Sequence, residues 1–423
     1  MGPAWWRRRT GTGAAGPIRF RPLVVVLVAL AVVAGCSSGG DTTARPGQRP
    51  RTGGPSDEGA GRGGGTIPSG TVPVEGRPTQ LDPGGGLLVG TPVYDGDYAD
   101  PFVLIEDGTN YVYATNTQDA NLPVIVSAGG NEGTYFGDAF PTLPAWTTPG
   151  FVWAPSVYAR GDDYVAYYTT TDNASKRQCV SRAVAPSPTG PFVDDSAGPM
   201  ICQLDLGGTI DPSIVTDVDG ESWLLFKNDG NCCNQTTSLW SQKLSPDGLD
   251  VVGEPTKLID ADQSWEGDLI EAPSMVIADG TYFLFYSANA WDTANYAVGY
   301  ARCQSITGPC TKADGPWMSS TAFAQGPGGQ EFFAKDGFVW MVYHGWERGQ
   351  IGYPQGERRL YLDIVQVPDG TPVRVGAETA RAVIVAVVVA AVVLLLLAAL
   401  LLVRRRRRTQ RTERDRTATD DRT

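Results

Sequence analysis

Three acidic residues stand at the heads of three similar segments. They are Asp100 in YADPFVLI (98–105), Asp211 in TIDPSIVT (209–216) and Glu271 in IEAPSMVI (270–277). Asp followed by Pro is a common way to start a strand, because aspartate caps turns and proline fixes φ. Glutamate is no turn former, so Glu271 needs another reason to be there. Carboxyl groups brought together can move protons. One that stays ionised accepts a proton, and one kept protonated by a charged neighbour donates it. Other chemistries lack their residues. The chain has a single histidine, His344, which leaves a zinc site or a Ser-His-Asp triad without its imidazoles.

The elements that position these carboxyls repeat. EDGTNYVYAT (106–115), RGDDYVAYYT (160–169), DVDGESWLLF (217–226), ADGTYFLFYS (278–287) and KDGFVWMVYH (335–344) each join a Gly/Asp turn to an alternating aromatic and β-branched run. That is a hairpin signal. The turn glycines, Gly108, Gly161, Gly220, Gly280 and Gly337, recur every 53 to 60 residues. A period of that size holds about four strands, the content of one propeller blade. The reading is an all-β, five-bladed β-propeller over residues 91–375; a β-sandwich would not explain the period. The segment entering each hairpin is then the first strand of a blade and lines the central channel. The heads of VWAPSVYA (152–159) and GQEFFA (329–334) join the three acidic ones there, and Asp100, Asp211 and Glu271 occupy equivalent positions at one channel mouth.

The ends of the chain are of another kind. Basic residues precede a short apolar run at 23–34, followed by VAGC, ending at Cys36. This is the pattern of an export signal with a lipobox-like site, so residues 1–36 are expected to direct export and Cys36 to carry a lipid. Residues 37–90 are rich in Gly, Pro, Ser and Thr and are expected to be a disordered tether. Residues 382–403 contain no polar side chain, and at 1.5 Å per residue span roughly 33 Å, enough for one transmembrane helix. Five arginines follow, so the basic 404–423 tail is expected in the cytoplasm and the propeller outside the cell membrane. The net charge is −12, and most of the basic residues lie in the two ends, leaving an acidic body unsuited to nucleic acid. Six cysteines in the body, Cys179, Cys202, Cys232, Cys233, Cys303 and Cys310, suggest disulfides in an exported domain. Cys303–Cys310 and Cys179–Cys202 are reasonable local pairs, which leaves the adjacent Cys232 and Cys233.

In this order and spacing, YADPFVLIEDGTNYVYAT, WAPSV, AVAPSPTGPF, TIDPSIV, IEAPSMV and ARCQSITGPC resemble glycoside hydrolase family 43 across the whole body. The resemblance implies a five-bladed propeller and an inverting glycosidase for arabinofuranosyl or xylosyl linkages, acting on an oligo- or polysaccharide. By motif it implies Asp100 as general base, Asp211 as pKa modulator and Glu271 as general acid, an arrangement that suits inversion. It also places Trp153 near the sugar-binding face, with core packing as the alternative, while Arg302 either bridges to substrate hydroxyls or forms a surface salt bridge. Ser156 stands where many relatives carry an acid. A GPGH motif, whose histidine often lies near a metal in relatives, here reads GPGGQEFF, with Gly329 in the histidine's place. A structural channel calcium is therefore left open but has no residue to support it, and no cofactor is required. His344 reads as a packed strand residue. A monomer is expected. The competing readings are a sugar-binding propeller that has lost catalysis and a protein-interaction propeller; the presence of all three acids favours the enzyme.

Overall fold

The computed structural model describes residues 92–94, 96–128 and 133–375, with two isolated helical positions at 399 and 403. Contacts divide the chain into Met1–Arg62 and Gly63–Thr423, and every described residue belongs to the second unit. Cys36, the 37–90 tether and the basic tail lie outside the described residues, as does the 382–403 segment except for its positions 399 and 403. Among the described residues, no helix is long and apolar enough to cross a membrane.

The described strands form five antiparallel sheets in chain order, the five blades. Blade one holds Phe102–Glu106 (β1), Thr109–Tyr113 (β2), Pro123–Ala128 (β3) and Thr134–Asp138 (β4). Blade two holds Thr147–Arg160 (β5), Asp163–Asp172 (β6) and Gln178–Ala185 (β7). Its fourth strand is reduced to two bridges, Val180 with Ile201 and Val184 with Val193, so this blade departs from the expected four strands. Blade three holds Thr209–Thr216 (β8), Ser222–Asn228 (β9), Ser238–Leu244 (β10) and Val251–Asp260 (β11). Blade four holds Ile270–Ala278 (β12), Thr281–Ala288 (β13), Ala297–Cys303 (β14) and Cys310–Lys312 (β15). Blade five holds Gln325–Lys335 (β16), Phe338–Trp346 (β17), Arg358–Gln366 (β18) and Val373–Val375 (β19).

The turn chemistry follows the sequence. Asp107-Gly108, Asp279-Gly280 and Asp336-Gly337 all have positive φ at both residues, 47° and 76°, 48° and 72°, and 53° and 78°. That conformation matches the twist of the strands it joins. Packing follows the two-residue period of strands. In β13, Tyr282, Leu284, Tyr286 and Ala288 face blade three and pack with Val215, Leu225 and Leu239. The alternate Phe283 and Phe285 face blade five and pack with Phe332, Val339 and Met341. A middle strand buried on both faces thus bonds two blades to each other. The ring closes where Val93 N–H donates to Leu360 O at 2.8 Å and Tyr98 N–H to Arg358 O at 2.7 Å, setting the segment before β1 against β18. The disulfides are Cys179–Cys202, Cys232–Cys233 and Cys303–Cys310.

Candidate active site

In or just before each first strand a left-handed residue stands at the channel: Asp100 (φ 49°), Ala154 (43°), Asp211 (57°), Ala272 (48°) and Gly329 (57°). All five line the central channel, with Pro101, Pro155, Pro212 and Pro273 beside them. This conformation leaves a backbone N–H that needs an acceptor. In four blades the side chain at one fixed position on the preceding blade's second strand supplies it. Ala154 N–H donates to Thr115 Oγ1 (3.0 Å), Asp211 N–H to Thr169 Oγ1 (3.1 Å), Gly329 N–H to Ser287 Oγ (2.9 Å) and Asp100 N–H to His344 Nδ1 (3.1 Å). The fifth such position is Lys227, an ammonium that cannot accept. Ala272 N–H turns instead to Asp211 Oδ2, 2.9 Å away, and Lys227 Nζ donates to Glu271 Oε2 at 3.1 Å. The chemistry sits where the five-fold pattern breaks.

This geometry corrects one expectation. Glu271 does not occupy the position of Asp100 and Asp211; Ala272 does. Glu271 lies one residue upstream, at the position of Trp153, and pairs with Ser287 as Trp153 pairs with Thr169. From there its carboxylate reaches back to blade three and Lys227. Its other oxygen accepts from Tyr296 OH at 2.8 Å.

Asp100 accepts from Thr115 Oγ1 at 2.6 Å and faces the Arg358 guanidinium at 3.4 Å. Its side chain is 20% exposed, against 11% for Glu271 and none for Lys227, so water reaches Asp100 more readily than Glu271. His344 is buried, and burial first, then Arg358, holds its pKa well below the ordinary value. The neutral ring takes the Asp100 amide hydrogen on Nδ1, so its 3.3 Å approach to Asp100 Oδ1 is not an ion pair. It stacks on Tyr296 at 5.9 Å, which links the surroundings of Asp100 to those of Glu271. Gly329 is required here, because a Cβ would lie 2.5 Å from His344 Nδ1 and 2.7 Å from Asp100 Oδ1. His344 is thus a packed residue, as expected, and also a direct support of Asp100.

The Asp211 carboxyl is pushed up to about 7, by burial first and then by the negative charges of Glu271 and Asp100, against the opposing pull of Lys227. Deeper in the channel Glu331, which sequence reasoning passed over, is pushed up to about 8 by burial.

Trp153 is half-buried against Phe151, with ring centroids 5.7 Å apart, beside the channel-lining Ala154. Arg302 lies elsewhere. It is exposed on β14, above Phe283, and donates to Thr371 Oγ1 at 3.2 Å. A third strand lies away from the channel, which only first strands line, and the motif carries no radial coordinate. Ser156 is buried and accepts the Ile214 amide hydrogen at 3.0 Å, a structural bond between blades. Sequence reasoning also missed an aromatic ledge outside the repeats. Arg358 lies over the exposed ring of Trp291 at 4.7 Å, Tyr353 stands 5.9 Å from that ring, and Trp346 stacks behind it.

A metal finds little here. Calcium takes six to eight oxygens. Position 329 has no side chain, His344 has committed Nδ1 to an amide, and the described residues contain no group of three His, Cys, Asp or Glu able to hold a metal ion.

Fold and site together describe a class of protein, a five-bladed propeller with carboxyls gathered at one mouth of its channel. The pattern of Glycosyl hydrolases family 43 matches residues 89–372, and the chain belongs to this family of glycosidases. It is 26% identical over 276 residues to a β-D-galactofuranosidase of Aspergillus niger, covering 60% of this chain and 76% of that one. It is 25% identical over 278 residues to an extracellular endo-α-(1→5)-L-arabinanase of Bacillus subtilis, covering 60% and 82%. Among solved structures, a thermostable family-43 glycoside hydrolase aligns with TM-score 0.60 and 26% identity, over 67% of this chain and 94% of that one. An endo-1,4-β-xylanase of Bacteroides thetaiotaomicron aligns with TM-score 0.58 and 27% identity, over 67% and 96%.

Proposed function

We propose that the chain is an inverting glycosidase that cleaves arabinofuranosyl or xylosyl linkages in extracellular oligo- or polysaccharide. The observation that carries this reading is the division of labour among the carboxyls. Asp100 is open to water and held by a hydroxyl and a guanidinium. Asp211, half-buried, and Glu271, buried, are neighbours, and Asp211 is displaced to about 7. The charge of Glu271 helps to raise Asp211, so the pair of carboxyls holds a proton near neutral pH. Asp100 takes a proton from water as that water attacks the anomeric carbon. Glu271 passes the pair's proton to the leaving oxygen, while Asp211 retains the Ala272 amide bond that fixes it beside Glu271. The named activities of the relatives support the sugar class, since galactofuranoside, arabinan and xylan all appear among them. Proton NMR of the first-formed product on a pentose oligosaccharide should show the inverted anomer; the retained anomer would remove the role given to Asp100.

The same reading places the enzyme on the outer side of a cell membrane, held by Cys36 and the 382–403 segment. Protease added to intact cells is expected to release an active fragment of the propeller's size. Release only after lysis would refute this topology.

A further inference from the structure

The rim above blades two and three carries a group that this reaction does not use. Cys232 and Cys233 are bonded to each other in the single turn Gly230–Cys233 that follows β9. A disulfide stabilises mainly by closing a loop. Cys179–Cys202 closes one of separation 23 and Cys303–Cys310 one of separation 7. Cys232–Cys233 has separation 1 and closes none, so stapling does not account for it. It instead makes a stiff, polarisable, apolar surface, and Cys232 is exposed.

That surface is fixed against the catalytic cluster. Cys232 N–H donates to Asp229 O at 3.3 Å, and Cys232 Sγ lies 3.4 Å from Gly207 O. Gly207 allows the approach, since a Cβ there would stand 2.4 Å from Asp229 O and 3.2 Å from Cys232 Sγ. Arg177, in the turn between β6 and β7, lays Nη1 against both sulfurs. The Asp229 carboxylate stands 4.0 Å from Lys227 Nζ, which in turn holds Glu271. Both ends of the rim feed the site: β8 begins two residues after Gly207 and carries Asp211, and β9 ends just before Asp229 and carries Lys227.

We propose that the Cys232–Cys233 disulfide and Arg177 form a binding position for the sugar unit on the leaving-group side of the scissile bond. The sulfurs pack against the C–H face of a neutral sugar ring, and free N–H groups of Arg177 donate to its hydroxyls. Glu271 gives its proton to the leaving oxygen, so the unit just beyond that oxygen is reached along Glu271, Lys227 and Asp229 to the rim. This rests on the glycosidase reading above.

The test compares the full chain with its Cys232→Ala/Cys233→Ala variant, which leaves both other disulfides in place. The probes are 1,5-α-L-arabinotetraose and 1,4-β-D-xylotetraose against the matching 4-nitrophenyl glycosides. KM for the cleaved tetraose is expected to rise about tenfold, several times more than KM for the aryl glycoside, with kcat little changed. Arg177→Met is expected to shift the same ratio in the same direction. Equal effects on both substrates, or none, would overturn the proposal. Failure of the wild type to cleave any probe would count against the glycosidase reading instead. Calorimetric titration then decides the rim's role: weaker tetraose binding by the variant supports it, and equal or absent binding overturns it.

Discussion

At the scale of the residue, the decisive contact is Lys227 with Glu271. A buried ammonium beside a carboxylate is a poor companion for an acid only where Asp211 is left out. With Asp211 present, two negative charges share one positive charge, and one proton remains to be held. Lys227 is among the groups that lower Asp211, so removing it raises the pH at which Asp211 gives up its proton. Lys227→Met is therefore expected to move the basic limb of the kcat/KM profile upward by about one unit or more. Glu271→Ala should behave differently. It is expected to lose a factor of about 10²–10⁴ on natural glycosides, and much less on an aryl glycoside whose leaving group needs no proton. Steady-state kinetics across pH on both substrates separates the two; a basic limb unmoved in Lys227→Met would show that the lysine serves packing alone.

At the scale of the element, left-handed residues do two kinds of work. Gly280 turns the β12–β13 hairpin at φ +72°, and a Cβ there would meet nothing within 4 Å. Gly329 has φ +57° and crowds His344 and Asp100. Gly280→Ala should cost about 1 kcal/mol of stability through backbone strain, with kcat unchanged. Gly329→Ala should displace Asp100 and its water, and lower kcat by about 10²-fold. Thermal melts alongside kcat distinguish them. Similar kcat in both variants would mean that the channel floor yields to the extra methyl group.

At the scale of the folded unit, the closed ring buries carboxyls that an open sheet would leave in water. Glu331 lies in the channel two residues past Gly329, pushed up to about 8 by burial. Unfolded, it ionises near 4.5, the ordinary value. Between these pH values the unfolded chain has lost the proton that the folded chain still holds, so stability falls as pH rises. Asp211 contributes in the same sense, and His344, whose pKa is lowered, in the opposite one. Glu331→Gln removes only the first contribution. The melting temperature of this variant, relative to wild type, is expected to increase steadily from about pH 4.5 to about pH 8. A constant difference across that range would show that Glu331 is ionised in the folded protein.

The amino-acid sequence determined the five repeats, their Asp-Gly or Gly-Asp hairpins and the presence of Asp100, Asp211 and Glu271 at the starts of first strands. These features are local, set by turn chemistry and a two-residue period that act within a few residues of one another. Part of the rest was legible. The repeated hairpin segments end at Thr115, Thr169, Ser287 and His344, while the third, with a longer turn, ends at Phe226, one residue short of Lys227. Aligned to its true end, it shows a lysine where other blades carry a hydrogen-bond acceptor. The tertiary structure alone decided that Lys227 meets Glu271 across 44 residues, that His344 supports Asp100 across 244, and that Arg358 reaches Asp100 across 258. It also set Arg302 away from the channel. A repeat states what each blade contains; which side chains of neighbouring blades touch, and at what distance from the axis, is fixed only when the blades pack and the ring closes.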